Sequence, residues 1–298
     1  MELTEAHVIL PRRFEPWRLW ALGDVHWGAG ACDEEAFKRT VAKIAEDEHA
    51  YWLGLGDYCD HIGHRDKRFD PSEITPDITV KDLDNIFNRQ IRGFFDLVKP
   101  IKAKCIGMLC GNHEESVRLY SIQDPAKSLA EWMGVPDLRY SATIKIKVFD
   151  SGSHTPEKGR SRYALNLFAH HGWGGGRKSG AHVNRIEYDI MDMAPANTDI
   201  VFMGHVHKLI GGIRAGFRVS EWGPPRLIPY ERAWAVTGTY LKTWRQGGTT
   251  YAERSGFPLS TIGSPCIEVR YCPSESLGAR GKRYEVDVVK YNVSTASA

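Results

Sequence analysis

The chain has 298 residues, 42% hydrophobic and 26% charged, as is usual for a globular protein with a sizeable core. Its net charge of +2 and pI near 8.2 do not by themselves indicate avid binding to duplex nucleic acid. No window approaches the ~18 apolar residues of a membrane span, and the N-terminal segment does not resemble a signal peptide. The six scattered cysteines form no CxxC pair, which is typical of reduced thiols. We therefore expect a cytoplasmic protein without membrane contact.

The first half of the chain alternates apolar runs with amphipathic patterns. Short apolar runs predict buried strands at residues 17–22, 51–55 and 105–110. Apolar residues at helical spacing predict helices at residues 33–49 and 80–98. A polar, proline-bearing loop is expected at residues 61–79. This alternation favours a largely parallel sheet, in which ligands bind at the carboxyl ends of the strands.

The second half is richer in strand patterns. Strands are predicted at residues 141–149, 163–169 and 200–203, and a helix at residues 180–193. From about residue 209 onward, strand patterns are separated by Gly/Pro turns. No linker or repeat is evident, so we expect a single domain over residues 1–298, with helices outside two β-rich layers. The β-rich part, residues 211–298, is expected to complete the second sheet.

Metal-ligand residue types follow five of the predicted strands, at Asp24 and His26, Asp57, Asn112 and His113, His170 and His171, and His205 and His207. Each motif alone is common in turns and loops. Together they place carboxylates, imidazoles and an amide at one edge, donors that suit Zn, Mn or Fe. Two metal ions roughly 3.5–4 Å apart clamp the attacking and leaving oxygens of a displacement at phosphorus.

The blocks GDVH, GDYCD, GNHE, HG and GHVH occur in this order between residue 18 and about residue 210. Their order and spacing resemble the signature of the calcineurin-like metallophosphoesterases. The resemblance implies an α/β fold, a four-layer α/β/β/α sandwich with two mixed β-sheets and a dinuclear metal site at the strand ends.

The resemblance also implies roles for individual residues. One metal ion would be held by Asp24, His26 and His207, and the second by Asn112, His171 and His205. Asp57 would bridge the two ions, and His113 would protonate the leaving group or stabilise the transition state. The implied cofactors are two divalent ions (Mn, Fe, Zn or Ni), with Mn expected to serve in vitro.

Three further polar residues lie beside these motifs, and two of them have two possible roles each. Because His170 precedes His171 on a strand, it points to the opposite face and either supports a ligand or packs. Asp60 completes GDYCD and either orients a ligating histidine or caps a turn. Glu114 is expected as a hydrogen-bond partner of His113.

Substrate contacts are expected from the loops. Arg177 and Lys178 either meet phosphate oxygens or form a solvated turn, and His182 either joins the pocket or does not. Trp27 and Tyr58 either stack on a base or only form the pocket wall. Loops 60–77 and 172–185 either close over the site or stay solvated.

These features predict a metal-dependent phosphoesterase that hydrolyses a phosphodiester, of nucleotide or nucleic-acid type, by in-line attack of a metal-bound hydroxide. A weaker likeness of the segment after residue 237 to phage-type members favours that substrate class. One alternative is a phosphomonoesterase or protein phosphatase of the same fold. Another is a non-catalytic member that binds metal or nucleic acid. A metallo-β-lactamase is excluded because GHVHKL lacks the Asp-His continuation of H-x-H-x-D-H.

Overall fold

The computed structural model describes residues 1–12, 15–64, 66, 69–75, 78–121, 123–150, 154–175, 179–220, 223–277 and 283–297. Its strands are Glu2–Ile9 (β1), Trp17–Leu22 (β2), Ala50–Gly54 (β3), Cys105–Met108 (β4), Ser141–Phe149 (β5), Tyr163–His170 (β6), Ile200–Met203 (β7), Ile210–Val219 (β8), Leu227–Val236 (β9), Gly263–Leu277 (β10) and Arg283–Ser297 (β11). Its α-helices are Glu34–Glu46 (α1), Ile86–Val98 (α2), Asn112–Ser121 (α3), Pro125–Met133 (α4), Ser179–Asn184 (α5), Met191–Met193 (α6) and Tyr251–Arg254 (α7).

The strands form two mixed sheets, as predicted. The five-stranded sheet has the order β11-β10-β2-β3-β4, with β2, β3 and β4 parallel and β10 antiparallel to β2. The six-stranded sheet has the order β1-β5-β6-β7-β9-β8. The C-terminal strands are divided between the sheets, because β8 and β9 join the larger one and β10 and β11 the smaller one. The expectation that this part completes only the second sheet is therefore too narrow.

The main core lies between the sheets. Along β2, Trp17, Leu19 and Ala21 belong to the same buried cluster as side chains of β5, β6, β7 and β9. The alternate residues Trp20 and Leu22 pack on the other face, with residues of α1, α2 and α4. Because β2 is buried on both faces, neither face is exposed to solvent, and its sequence is nearly continuously apolar.

The helices form the outer layers. In α1, the side chain of Asp33 caps the start by accepting a hydrogen bond from Ala36 N, and Phe37 stacks on Phe94 of α2 at 5.6 Å between ring centroids. The helix predicted over residues 80–98 begins as a 3-10 turn, Val80–Asn85, and becomes α-helical only at Ile86.

The opposite outer layer is the helical segment predicted over residues 180–193. It consists of α5, a π-helical segment Arg185–Ile190, and α6. Its residues Ile186 and Ile190 pack against Phe168 and Val201 of the six-stranded sheet. With helices on both sides of two packed sheets, the predicted α/β/β/α order is confirmed.

Of the labelled strands and α-helices, four were not predicted, namely β1, α3, α4 and α7. Strand β1 lies at a sheet edge, where only Ala6 and Val8 are buried, so its sequence has a weak apolar pattern. The sequence of helix α4 does contain start and stop residues typical of a helix. Asp124 caps its N-terminus, Pro125 is its first residue, and Gly134 ends it at φ 68°. In the described part of the chain, no helix is long and apolar enough to cross a membrane.

Candidate metal centre

The predicted strand-end residues converge at one end of the two sheets. Asp24 and Asp57 follow strands of the five-stranded sheet, and His171 and His205 follow strands of the six-stranded sheet. The backbone N–H of His205 donates to both carboxylate oxygens of Asp24 at 3.0 Å, and His171 Nε2 lies 3.4 Å from Asp57 Oδ2. Both sheets therefore contribute to a single site.

The first cluster contains Asp24, His26 and His207, whose candidate ligand atoms all lie within 4.8 Å of one another. The Nε2 atoms of His26 and His207 are 3.1 Å apart, and His207 Nε2 is 3.7 Å from Asp24 Oδ1. Two imidazoles and a buried carboxylate in this arrangement can hold one divalent cation.

The second cluster contains Asp57, His171 and His205, also with candidate ligand atoms within 4.8 Å. Asn112 Oδ1 lies 3.0 Å from His171 Nε2 and 2.7 Å from His205 Nδ1, and so joins this cluster. His171 Nδ1 lies 2.6 Å from the carbonyl oxygen of Leu55, to which it donates. This hydrogen bond leaves the Nε2 lone pair for a metal ion.

The electrostatics of the site also fit cations. Burial raises the pKa of Asp24 to about 7, and the nearby Asp57 carboxylate adds to this rise. Burial alone would lower the pKa of His171, but the Asp57 carboxylate outweighs it and the pKa is raised to about 9. Burial lowers the pKa of His205 to about 4 and also lowers that of His207, which favours neutral, ligating imidazoles. Two buried carboxylates at one site favour positive charge nearby, which divalent ions supply.

Five of the candidate ligands have left-handed backbone conformations, with φ of 52° at Asp24, 51° at His26, 51° at Asp57, 73° at His205 and 54° at His207. Non-glycine residues adopt this region uncommonly, at a cost on the order of 1–3 kcal/mol each. Such strain persists only where the surrounding structure enforces it, and it gathers here at the strand ends. The folded chain thus holds these side chains in place at a conformational cost.

The glycines of the GD and GN motifs let the strand-end loops touch. A Cβ on Gly111 would lie 2.2 Å from Asp57 N, and one on Gly56 would lie 2.4 Å from Gly111 N. Gly56 also has φ 88°. These backbone contacts bring the loops after β3 and β4 together, and with them Asp57 and Asn112.

His113 lies between the first cluster and a cavity. Its backbone N–H donates to Asp57 Oδ1 at 2.9 Å, its ring is 4.7 Å from that of His26, and it lines the cavity. Its Nδ1 donates to the carbonyl oxygen of Asp60. That donation leaves Nε2 as the nitrogen that can hold a proton toward a bound molecule. The Asp60 carboxylate lies 3.7 Å from His26 Nδ1, in reach to orient a ligating histidine.

Glu114 does not play the expected role. Instead of pairing with the His113 ring, its buried carboxylate accepts from the backbone N–H groups of Asp57 and Tyr58 at 2.9 Å and of Gly111 at 3.0 Å. Because these donors belong to both strand-end loops, Glu114 ties the loop that carries Asp57 to the loop that carries Asn112.

His170 packs away from the clusters. Its Nδ1 accepts from the backbone N–H of Gly172 at 2.7 Å, and its ring lies 5.4 Å from Tyr140 and 5.1 Å from Trp173. Of the two roles considered for this residue, the structure shows packing.

Two predicted base-stacking residues belong to the core instead. Trp27 is 5% exposed, packs onto Gly93 of α2 and donates from Nε1 to Glu34 at 2.8 Å. Tyr58 is fully buried, and its hydroxyl donates to the carbonyl oxygen of Leu109 at 2.7 Å. Their faces are covered by protein, so neither can stack on a base.

The remaining predicted substrate contacts are His182, Arg177 and Lys178. His182 is buried on α5 and is not among the residues lining the cavity next to the first cluster. Arg177 and Lys178 lie outside the described residues. Of the two loops, 60–77 contributes Asp60, Ile62 and Glu73 to the cavity wall.

Two site residues were missed by sequence reasoning. The hydroxyl of Thr237 donates to Asp24 Oδ2, and that of Thr239 donates to the carbonyl oxygen of Asp24 at 2.8 Å. Both threonines belong to the TGT stretch directly after β9. The signal was therefore the same as for the ligands, since polar residues follow an apolar strand.

The chain was compared with known proteins. A profile of the calcineurin-like phosphoesterase family matches residues 18–209. The crystal structure of Chaetomium thermophilum Vps29 aligns with a TM-score of 0.29 at 10% identity, covering 94% of this chain and 98% of that one. Vps29 from the same organism complexed with a RaPID-derived cyclic peptide aligns with a TM-score of 0.27 at 9% identity, covering 95% and 98%. Among proteins with curated descriptions, no sequence matches significantly. Because the family match spans every strand-end motif from Asp24 to His207, the chain belongs to the calcineurin-like phosphoesterase family, which implies metal-dependent hydrolysis of phosphoesters.

Proposed function

We propose that the protein hydrolyses a phosphodiester with two divalent metal ions. The observation that carries this proposal is the pair of Asp/His clusters beside a cavity of about 170 Å³ with many apolar residues in its wall. A phosphodiester has two organic groups, and a cavity next to the reacting centre can receive one of them. The half-buried carboxylates Asp60 and Glu73 in its wall disfavour a doubly charged monoester there.

The residues present fit the two ions. Asp24, His26 and His207 would hold one, Asn112, His171 and His205 the other, and Asp57 would be shared. When bound, such ions supply Lewis acidity and a nucleophile from water near neutral pH.

The chain's own residues supply the remaining chemistry. His113 can hold a proton at Nε2 and give it to the leaving oxygen, since its Nδ1 is engaged by the Asp60 carbonyl. The hydroxyl of Thr237 and the backbone N–H of His205 orient the Asp24 carboxylate. These contacts keep the donor atoms in place before a substrate arrives.

Hydrolysis of aryl phosphates tests this proposal. With Mn²⁺, the purified protein should hydrolyse bis(4-nitrophenyl) phosphate with a higher kcat/KM than 4-nitrophenyl phosphate. A chelator should abolish the reaction, and Asp57→Asn should lose both activity and tight binding of two metal ions. A preference for the monoester would instead support a phosphomonoesterase. No hydrolysis of either ester with any divalent ion would exclude catalysis and favour a non-catalytic binding protein.

A further inference from the structure

The cavity beside His113 has a wall that the phosphoesterase motifs do not supply. Leu241, Lys242, Thr250, Ala252, Arg254 and Phe257 line it, and all lie beyond the family match, which ends at residue 209. We call residues 241–257 the C-terminal wall. Its opposite side is formed by Ala29 and Ala31 and by Ile62 and Glu73.

The C-terminal wall is fastened to the rest of the site by specific contacts. Lys242 N donates to Ala31 O at 2.9 Å, and the Arg245 guanidinium donates to Gly30 O at 3.2 Å and to Ser72 O at 3.3 Å. Arg254 pairs with Asp70 at 3.0 Å. The cavity is therefore built by three segments of the chain that hold one another in place.

Glu73, on the side of the cavity opposite the C-terminal wall, is a half-buried carboxylate whose side chain is 18% exposed. Its Oε1 is buried and has no hydrogen-bond partner among the described residues, with Arg245 at 3.8 Å the nearby cation. Of the cations in the C-terminal wall, Lys242 and Arg254 line the cavity, and they pair with Asp33 and Asp70, both at 3.0 Å. The part of this carboxylate that remains exposed in the cavity can accept a hydrogen bond from a donor on a bound molecule.

The size and lining of the cavity define the group that fits. Its volume is about 170 Å³, and Ala29, Ala31, Ile62, Leu241 and Phe257 supply apolar surface. A closed apolar cavity of about 150 Å³ holds benzene. The space therefore suits one aromatic or heteroaromatic ring.

We infer that this cavity selects one organic group of the phosphoester, a single aromatic or heteroaromatic ring bearing an N–H donor that binds Glu73, as an amino-substituted pyrimidine does. This inference rests on the proposed function and adds its substrate class. The C-terminal wall and Glu73 then determine specificity, while the strand-end clusters perform the chemistry.

A pair of aryl phosphodiesters tests the role of Glu73. 4-Nitrophenyl phenyl phosphate and 4-nitrophenyl 3-aminophenyl phosphate release the same 4-nitrophenolate and differ only in the N–H donor. The wild-type protein should prefer the amino compound by about 10- to 100-fold in kcat/KM, the usual effect of a hydrogen bond to a charged group. Glu73→Ala should reduce this ratio to about one, and Glu73→Gln, which keeps an acceptor, to below about tenfold.

The matched control is Glu253→Ala, which removes an exposed carboxylate from the C-terminal wall without touching the cavity and should keep the wild-type ratio. Ala252→Leu tests occupancy, because extra methyl groups fill the cavity. It should lower the kcat/KM ratio of the phenyl ester to methyl 4-nitrophenyl phosphate by about tenfold or more. Equal effects on both esters would contradict the inference.

The two proposals fail differently. If no ester is hydrolysed with any divalent ion, the proposed function is wrong. If the esters are hydrolysed but the amino preference is absent, or is the same in Glu73→Ala, the proposed function stands and this specificity pocket is excluded. Unfolding midpoints of the variants confirm that each comparison is made on folded protein, and Glu73→Gln provides the comparison if Glu73→Ala does not fold.

Discussion

At the scale of single residues, we expect His113 to take part in catalysis without binding a metal ion. Its Nδ1 is bound by the Asp60 carbonyl, so its role lies at Nε2 in the cavity. We predict that His113→Ala lowers kcat by about 10²- to 10⁴-fold, the usual contribution of a general acid, with metal content nearly intact. Steady-state kinetics and metal analysis check both parts. His170→Ala, which alters a packed histidine outside the clusters, is the control, and loss of both metal ions in His113→Ala would identify His113 as a ligand.

Glu114 shows how one buried carboxylate organises two loops. Its oxygens accept from the backbone N–H groups of Asp57, Tyr58 and Gly111. We predict that Glu114→Ala lowers the free energy of unfolding by about 2–4 kcal/mol, because it leaves these donors buried without an acceptor. Urea denaturation measures the change. The control is Glu115→Ala, which removes a neighbouring carboxylate paired with Arg118 near the surface. It should lower the free energy of unfolding by less than about 1 kcal/mol. Equal effects of the two substitutions would contradict the role of Glu114 in joining the loops.

At the scale of elements, helix α2 is positioned against the loop that follows β2. A Cβ on Gly93 would lie 2.0 Å from Trp27 Cη2, so the helix approaches the indole ring closely. Alanine is ordinarily about 1 kcal/mol better than glycine inside a helix. We predict the opposite sign here, with Gly93→Ala lowering the free energy of unfolding by about 1–3 kcal/mol through overpacking.

The control for this substitution is Gly180→Ala in α5, where a Cβ would meet nothing within 4 Å. It should be neutral or stabilising in the same denaturation experiment. If Gly93→Ala is also stabilising, Trp27 is not held by α2 and its role as a core residue is wrong.

At the scale of the whole molecule, the two sheets are joined at their ends by the clusters, so stability should depend on pH and on metal ions. In the fold, the pKa of His171 is raised from 6.5 to about 9, and that of Asp24 from 3.8 to about 7. A histidine whose pKa is higher in the folded than in the unfolded protein stabilises the fold at pH values below its unfolded pKa. This stabilisation is lost as the pH rises through its folded pKa. For Asp24, whose pKa rises from 3.8 to about 7 on folding, stability falls as the pH rises between these two values, and above about pH 7 this loss stays constant.

We therefore predict that the unfolding midpoint of the chelated protein falls between pH 7 and pH 9. The lowered pKa values of His205 and His170, both about 4, act only at lower pH. Adding Mn²⁺ should raise the midpoint, and more at pH 9 than at pH 7, since ligands must be deprotonated to bind. Thermal unfolding with chelator and with Mn²⁺ measures this. A midpoint that rises with pH in chelator would contradict the prediction, and His171→Gln should flatten the dependence.

The sequence by itself determined the kinds of ligand and their order along the chain. Strand periodicity and the polar residues at strand ends are local, so Asp24, Asp57 and His171 could be found without coordinates. The layer order also followed, because alternating strands and helices leave few ways to bury their apolar faces.

Only the tertiary structure decided which groups surround those ligands. Thr237 binds Asp24 across 213 residues of sequence, and Glu114 binds the backbone of the preceding strand-end loop. The aromatic ring of Trp27 looked equally suited to a pocket or a core until α2 was seen to cover it. Likewise, the C-terminal strands are divided between the two sheets, and the hydrophobic pattern of a strand does not specify which sheet it joins. Such contacts depend on how distant segments pack, because the side-chain periodicity of one segment does not identify the segment that packs against it.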